Sequence, residues 1–164
     1  MKSESSNSKQ YAVSQETRSS LYLWIALNRV VERIHEHLER QVAAHGLTLT
    51  EFGVLEALLH KGALTHGEIA DRVLLANSSI TYVLDKLEDR GLLRRRPSEE
   101  DRRVKLAELT PDGRSMIEEA FPEHAALIDD LMADLSLDQK REAASLLHRL
   151  ERRATETDAP STPE

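Results

Sequence analysis

The stretch THGEIADRVLLANSSITYVLDKLEDRGLLRRRPSEEDRRVKLAELTPDG, residues 65–113, decides the fold. It opens with Thr65 and Glu68 at capping-box spacing, which places a helix start at Thr65. Ile69 and Val73 fall on one face of that short helix, residues 65–73. A tight turn follows at Leu74–Ala76. Asn77 is an N-cap candidate for a second helix, residues 77–90, in which Ile80, Val83, Leu84 and Leu87 make an apolar stripe. Gly91 stands in the C′ position, where a left-handed residue ends a helix. Beyond it, Val104 and Leu106 alternate with charged residues, and Pro97 with the Ser98–Asp101 cluster punctuates the middle. That pattern predicts a two-stranded hairpin, Leu92–Arg96 up and Arg102–Leu109 back. Two helices joined by a tight turn are a helix-turn-helix, and a hairpin directly behind them is a wing.

Outward from this unit the chain is helical. Towards the N-terminus, Thr48 and Glu51 form a second capping-box pattern ahead of Phe52, Leu55, Leu58 and Leu59. Before it, Leu21, Trp24, Ile25, Val31, Ile34, Leu38 and Val42 recur at helical spacing from Thr17 to Ala44, and Gly46 supplies the stop. A helix of that length spans about 42 Å and needs a partner beyond its own small lobe. Towards the C-terminus, Thr110-Pro111 starts a fifth helix with Pro at its first position. Pro122 is expected to kink or break it. Ser136 and Gln139 cap a sixth helix carrying Leu146, Leu147 and Leu150. Residues 1–12 and 154–164 are polar and read as disordered tails. The fold class is therefore mainly α, a winged helix-turn-helix over residues 47–109, flanked by long helices at 13–46 and 110–153.

Composition narrows the chemistry. The chain has 164 residues, 40% of them hydrophobic but only 4% aromatic, so its core is aliphatic. Cysteine is absent, which excludes disulfides, thiolate metal sites and thiol nucleophiles. There is no Gly-rich phosphate loop, nucleophile elbow or metal-binding histidine pair, so no catalytic residue, cofactor or enzyme activity is expected. The first residues lack an apolar signal core and no run is long enough to span a membrane, so a cytoplasmic location and no membrane partner are expected.

The net charge of −7 argues against nucleic acid until its distribution is read. From Arg90 to Lys105, seven basic residues (Arg90, Arg94, Arg95, Arg96, Arg102, Arg103, Lys105) face three acids (Glu99, Glu100, Asp101), a local +4. A basic wing lets an acidic protein bind phosphate. On the second helix of the unit, Asn77, Ser78, Ser79, Thr81, Tyr82, Asp85 and Lys86 lie off the apolar stripe. Short hydroxyls and an amide near a helix N-terminus reach base edges and phosphates. Double-stranded DNA is the expected partner. A helical protein-interaction module without DNA binding, and a metal-responsive regulator using some of the seven histidines, are the competing readings.

The segment from Leu47 to Gly113, above all DKLEDRGLLRRRPSEEDRRVKLAELTPDG, closely resembles the multiple-antibiotic-resistance regulator (MarR) family. The resemblance covers about residues 20–152. Asp101-Arg102-Arg103 is similar to the family's D-x-R wing motif, which implies that Arg103 enters the minor groove and Asp101 orients it. Arg102 is then a phosphate contact or solvent-exposed, and Arg94 and Arg96 complete the expected DNA-binding set. The resemblance further implies a homodimer built by the N-terminal and two C-terminal helices. It implies repression of a pseudo-palindromic operator and release by a small ligand. NSSITYVLDKLE is most similar to the subgroup responding to quinones, catechols and hydroquinones. Trp24, Asn28, His35 and Phe52 are the candidate pocket residues; Trp24 and Phe52 serve equally well as core or interface residues.

Overall fold

A computed structural model describes residues 13–73 and 77–158, and the side chains of all of these except 77–79, 157 and 158. The described elements are α1 (Gln15–Ala44), α2 (Leu49–Lys61), β1 (Leu64–Thr65), α3 (His66–Val73), α4 (Asn77–Asp89), β2 (Leu93–Pro97), β3 (Lys105–Leu109), α5 (Pro111–Leu131) and α6 (Leu137–Asp158). The chain falls into two units divided after His37, within α1.

The predicted caps are formed. The Glu51 N–H donates to Thr48 Oγ1 at 3.2 Å while the Thr48 N–H donates to Glu51 Oε2 at 2.8 Å, a complete capping box. The same reciprocal pair joins Thr65 with Glu68 (3.3 and 2.8 Å) and Ser136 with Gln139 (3.3 and 2.8 Å). Each satisfies backbone donors that a helix start leaves free. Ser14 caps α1 by accepting the Thr17 N–H at 3.1 Å, so the helix begins two residues before Thr17. Gly46 and Gly91 take φ of 69° and 70°, the left-handed turn that ends α1 and α4.

Four expectations are corrected. Leu64 and Thr65 also form a strand: β1 pairs antiparallel with β3, Leu64 opposite Ala107 and Thr65 opposite Leu106, giving the sheet order β1-β3-β2. Two residues are too few for alternation to register in a sequence. The return strand starts at Lys105, not Arg102, because the Val104 N–H is drawn back to the Asp101 carbonyl at 2.9 Å and closes the tip as a turn. Of the two effects expected of Pro122, a kink or a break, the break does not occur, since α5 runs through it from Pro111 to Leu131. Proline there forfeits one backbone bond, but Ile117, Ala120 and His124 on either side are buried and hold the helix in place. Finally, α6 continues to Asp158 rather than ending at Arg153. Thr155 Oγ1 bonds back to the Glu151 carbonyl at 3.0 Å and Arg153 pairs with Glu156 at 3.8 Å. The tail expectation for 1–12 and 159–164, and the turn at Leu74–Ala76, lie outside the described residues. Among the described residues, no single helix is long and apolar enough to cross a membrane.

The core of residues 38–158 is aliphatic, as composition required. Leu55, Leu58, Ile69, Ile80, Leu87 and Ile117 are at most 1% exposed and gather around Phe52. Each such side chain stabilises the fold by about 1.5–3 kcal/mol relative to exposure.

One polar group sits inside this core. His124 on α5 is buried, its ring centroid 4.2 Å from that of Phe52 and its Nδ1 3.0 Å from Gln41 Oε1 on α1. An amide oxygen only accepts, so Nδ1 carries the proton and donates. Burial pushes the imidazole pKa below its ordinary value, outweighing the opposite pull of Glu56. The unfolded chain, titrating near pH ~6.5, then binds the proton more readily than the folded one. This contribution is complete above that pH and is lost as pH falls through it. Urea midpoints measured from pH 7.5 to 5 should fall with pH, and His124→Leu should flatten the slope. Equal slopes for the two proteins would contradict the assignment.

Candidate nucleic-acid interface

The two faces of α4 are separated as the periodicity required. Ile80, Leu84 and Leu87 are buried, while Thr81, Tyr82, Asp85 and Lys86 are exposed, Tyr82 to 70%. Asn77, Ser78 and Ser79 open the helix, and their side chains lie outside the described residues. Thr81 Oγ1 stands 2.9 Å from His66 Nε2 at the start of α3. Fifteen residues of separation give no signal of this contact in the sequence.

Lys86 has an internal partner. Its Nζ lies 2.8 Å from Glu51 Oε1, and Arg90 Nη1 lies 3.5 Å from Glu51 Oε2. Glu51 is 2% exposed. Burial pushes its carboxyl up, but hydrogen bonds from Lys86 and the Thr48 N–H, with the charges of Lys86 and Arg90, hold it below the usual carboxylate range. An ionised carboxylate inside a core requires such compensation. Glu51 therefore serves two structures: it closes the α2 cap and ties α2 to the C-terminal half of α4. Only the first role is legible in the sequence.

The wing strands carry a similar pattern. Arg94 and Arg96 bracket Glu108 across the β2–β3 pair, at 2.7 and 2.9 Å. Their hydrogen bonds, Arg96 first, lower the Glu108 pKa against the effect of burial. Arg95 points to the other face and pairs with Asp85 and, at 3.5 Å, with Glu88 of α4. The local +4 is thus partly neutralised by Glu108, Asp85 and Glu88 at the root of the wing, and at the tip Glu99, Glu100 and Asp101 balance Arg102, Arg103 and Lys105.

At that tip Arg102 is exposed, and the Arg103 side chain is exposed to 91%. Asp101 Oδ1 accepts the Arg103 backbone N–H at 2.9 Å and its Nε–H at 3.2 Å, and Oδ2 accepts Nη2–H at 3.3 Å. Backbone bond first, these interactions keep the Asp101 carboxyl below its usual pKa. The guanidinium is therefore aimed before any ligand arrives, a fork on a carboxylate.

Of the candidate pocket residues, Trp24, Asn28 and His35 are exposed on α1, where the Asn28 amide donates to the Trp24 carbonyl at 2.7 Å. Phe52 is a core residue, 1% exposed. Among the described residues, no group of three or more His, Asp or Glu side chains is gathered as a metal ion requires.

The MarR family pattern matches residues 47–105, the helix-turn-helix and most of the wing. The regulator MhqR of Bacillus subtilis is 43% identical over 82% of this chain and 92% of its own. A structure of Bordetella bronchiseptica BpsR, whose DNA binding is regulated by 6-hydroxynicotinic acid, superposes with a TM-score of 0.70 at 25% identity, covering 79% of this chain and 98% of that one. A cysteine-to-serine mutant of E. coli MarR, solved with operator DNA, shares the fold with a TM-score of 0.72 at 22% identity, over 84% and 99% of the two chains. With its winged helix-turn-helix and this similarity along most of its length, the chain belongs to the MarR family of DNA-binding transcription regulators and is not an enzyme.

Proposed function

We propose that this regulator is a homodimeric repressor that reads a pseudo-palindromic operator and is released by a small aromatic ligand. The observation that carries DNA reading is the wing tip: an exposed guanidinium held in aim by Asp101. Arg103 enters the minor groove, whose narrow stretches attract an inserted arginine. Helix α4 enters the major groove with the exposed Thr81 and Tyr82 toward the bases, Asn77, Ser78 and Ser79 complete the proposed contact set, and Arg94, Arg96, Arg102 and Lys86 supply positive charge near the phosphates.

Dimerisation is supported by apolar surface that a monomer leaves wet. Leu21, Trp24, Ile25 and Val31 on α1 are 48–64% exposed, and Leu137, Leu146, Leu147 and Leu150 on α6 are 45–62% exposed. Residues 13–46 and 110–153 are the proposed dimerisation helices, and residues 47–109 the DNA lobe. A two-fold pair of α4 helices meets half-sites ~34 Å apart.

The ligand reading rests on the similarity of NSSITYVLDKLE in α4 to the subgroup that responds to quinones and catechols, on the control of BpsR by a hydroxylated aromatic acid, and on the missing cysteines, which leave binding rather than thiol oxidation as the trigger. Trp24, Asn28 and His35, exposed on α1, are the proposed contacts, and Phe52, buried in the core, is left out. The experiment is a titration of protein bound to duplex DNA from its own promoter with catechols, quinones and aromatic acids. Release with a parallel change in Trp24 fluorescence is expected from at least one class. Stable complexes throughout the panel would overturn the ligand reading while leaving DNA binding intact.

A further inference from the structure

We infer that His66 is a positioning residue for DNA reading: it holds the Thr81 hydroxyl of α4 in one orientation and ties it to the wing sheet. The inference rests on the proposal that Thr81 meets DNA, and it concerns how that hydroxyl is aimed.

The His66 ring is held from its own side of the contact. Its neighbour Thr65 is paired with Leu106 of β3, so the backbone entering α3 is part of the wing sheet. The Thr65 N–H and hydroxyl both donate to Glu68 Oε2 at 2.8 Å, and the Glu68 N–H returns to Thr65 Oγ1 at 3.3 Å. That capping box fixes where α3 begins, and with it the base of the His66 side chain. From there Nε2 reaches Thr81 Oγ1 at 2.9 Å.

The contact bears on how Thr81 presents its hydroxyl. A threonine in a helix divides between two side-chain rotamers, because its hydroxyl can also turn back toward the preceding turn of backbone. An exposed threonine reading a base edge or phosphate must present its hydroxyl in one of them. The imidazole nitrogen, on a ring that is itself half-buried and anchored, favours the rotamer that brings Oγ1 within 2.9 Å of it. The consequence reaches further than one side chain. β3 ends the wing hairpin and also pairs with β1, so a shift of the wing sheet carries β1, His66 and the Thr81 hydroxyl with it. Wing and recognition helix then dock as one body.

The test uses full-length protein and a duplex selected from a random-sequence library by the parental protein, with a shuffled duplex as control. Binding is read by fluorescence anisotropy at several salt concentrations for His66→Ala, His66→Gln, His66→Asn, Thr81→Val and the His66→Ala/Thr81→Val double variant. Each of His66→Ala and Thr81→Val should weaken the selected duplex roughly two- to tenfold, the worth of one net hydrogen bond. The double variant should bind no more weakly than Thr81→Val alone, since the two residues act through one hydroxyl. A glutamine amide reaches about as far as Nε2 and asparagine does not, so His66→Gln should recover most of the loss and His66→Asn little. Affinity for the shuffled duplex and the salt slope should stay at parental values. A double variant showing the product of the two single losses would overturn the inference. So would a salt slope reduced by about one in His66→Ala, which marks a direct phosphate contact instead. Parental affinity in Thr81→Val is a separate failure: it would remove Thr81 from the DNA interface and the inference with it.

Discussion

Gly113→Ala is expected to cost at least about 3 kcal/mol of stability, and so lower the melting midpoint by roughly 6–12 °C. Propensity alone predicts the opposite, because alanine inside a helix is favoured over glycine by about 0.5–1 kcal/mol. Packing reverses the sign. A Cβ at Gly113 would lie 1.8 Å from the Leu92 carbonyl oxygen, 2.7 Å from its carbon and 3.1 Å from its Cα. These are backbone atoms, and they are pinned from several sides. The Leu92 oxygen accepts the Thr110 N–H at 3.1 Å, the Thr110 hydroxyl donates to the Gly91 oxygen at 2.6 Å, and Leu93 is paired with Leu109. Relief requires the first turn of α5 to separate from the end of α4, which opens the core at Leu92, Leu93 and Ile117. Gly67→Ala is the matched control, since nothing lies within 4 Å of its added methyl. The comparison is made at one protein concentration, because dimerisation would shift both midpoints. Equal midpoints for the two variants would show that the α4–α5 junction yields without cost.

That junction also marks the limit of what the sequence makes legible. Thr110-Pro111 announces a helix start by local chemistry, and the Thr110 cap is formed, with Gly113 as its donor at 3.0 Å. Nothing local says that Gly113 must lack a side chain. The constraint comes from Leu92, twenty-one positions away, and appears only when the wing has closed. The same division runs through the rest of the fold. The three capping boxes, the stripe of α4 and the glycine after it were readable because their partners lie within four residues. Strand β1 was not, because its two residues become a strand only through Ala107 and Leu106.

The candidate interface divides in the same way. Asp101 and Arg103 are two residues apart, so their contact is local and the motif carries it whole. Lys86 looks in sequence like one more surface cation on the reading face. Its pairing with Glu51 depends on how α2 packs against α4, and the hydrophobic pattern fixes that packing without naming its polar contacts. Arg94 and Arg96 look in sequence like DNA-facing charge for the same reason. Their clamp on Glu108 follows from strand register.

Arg103→Ala is expected to weaken binding to the selected operator by tens of fold while leaving the fold unchanged. The side chain is 91% exposed and pairs with the half-exposed Asp101 two residues away, so its removal leaves no cavity and strands no buried charge. On DNA the position is very different. A guanidinium inserted into a narrow minor groove meets a strongly negative potential and displaces counterions. Its loss should therefore reduce affinity and lower the slope of log K against log salt by about one. Arg103→Lys keeps the charge but not the planar fork that Asp101 grips. It should retain the salt slope and still lose preference for operator over shuffled duplex. Asp101→Asn tests aim separately from charge. Asn keeps an oxygen for the Arg103 backbone N–H but loses the second carboxylate oxygen that accepts Nη2–H, so the guanidinium is freed to wander. Removing a negative charge from the wing should by itself strengthen binding to any DNA. Weaker operator binding by Asp101→Asn, alongside unchanged or stronger binding to shuffled DNA, is the signature of lost orientation. If Asp101→Asn strengthens both equally, the carboxylate merely repels phosphate, and the pre-aimed wing is wrong even if Arg103 itself proves essential.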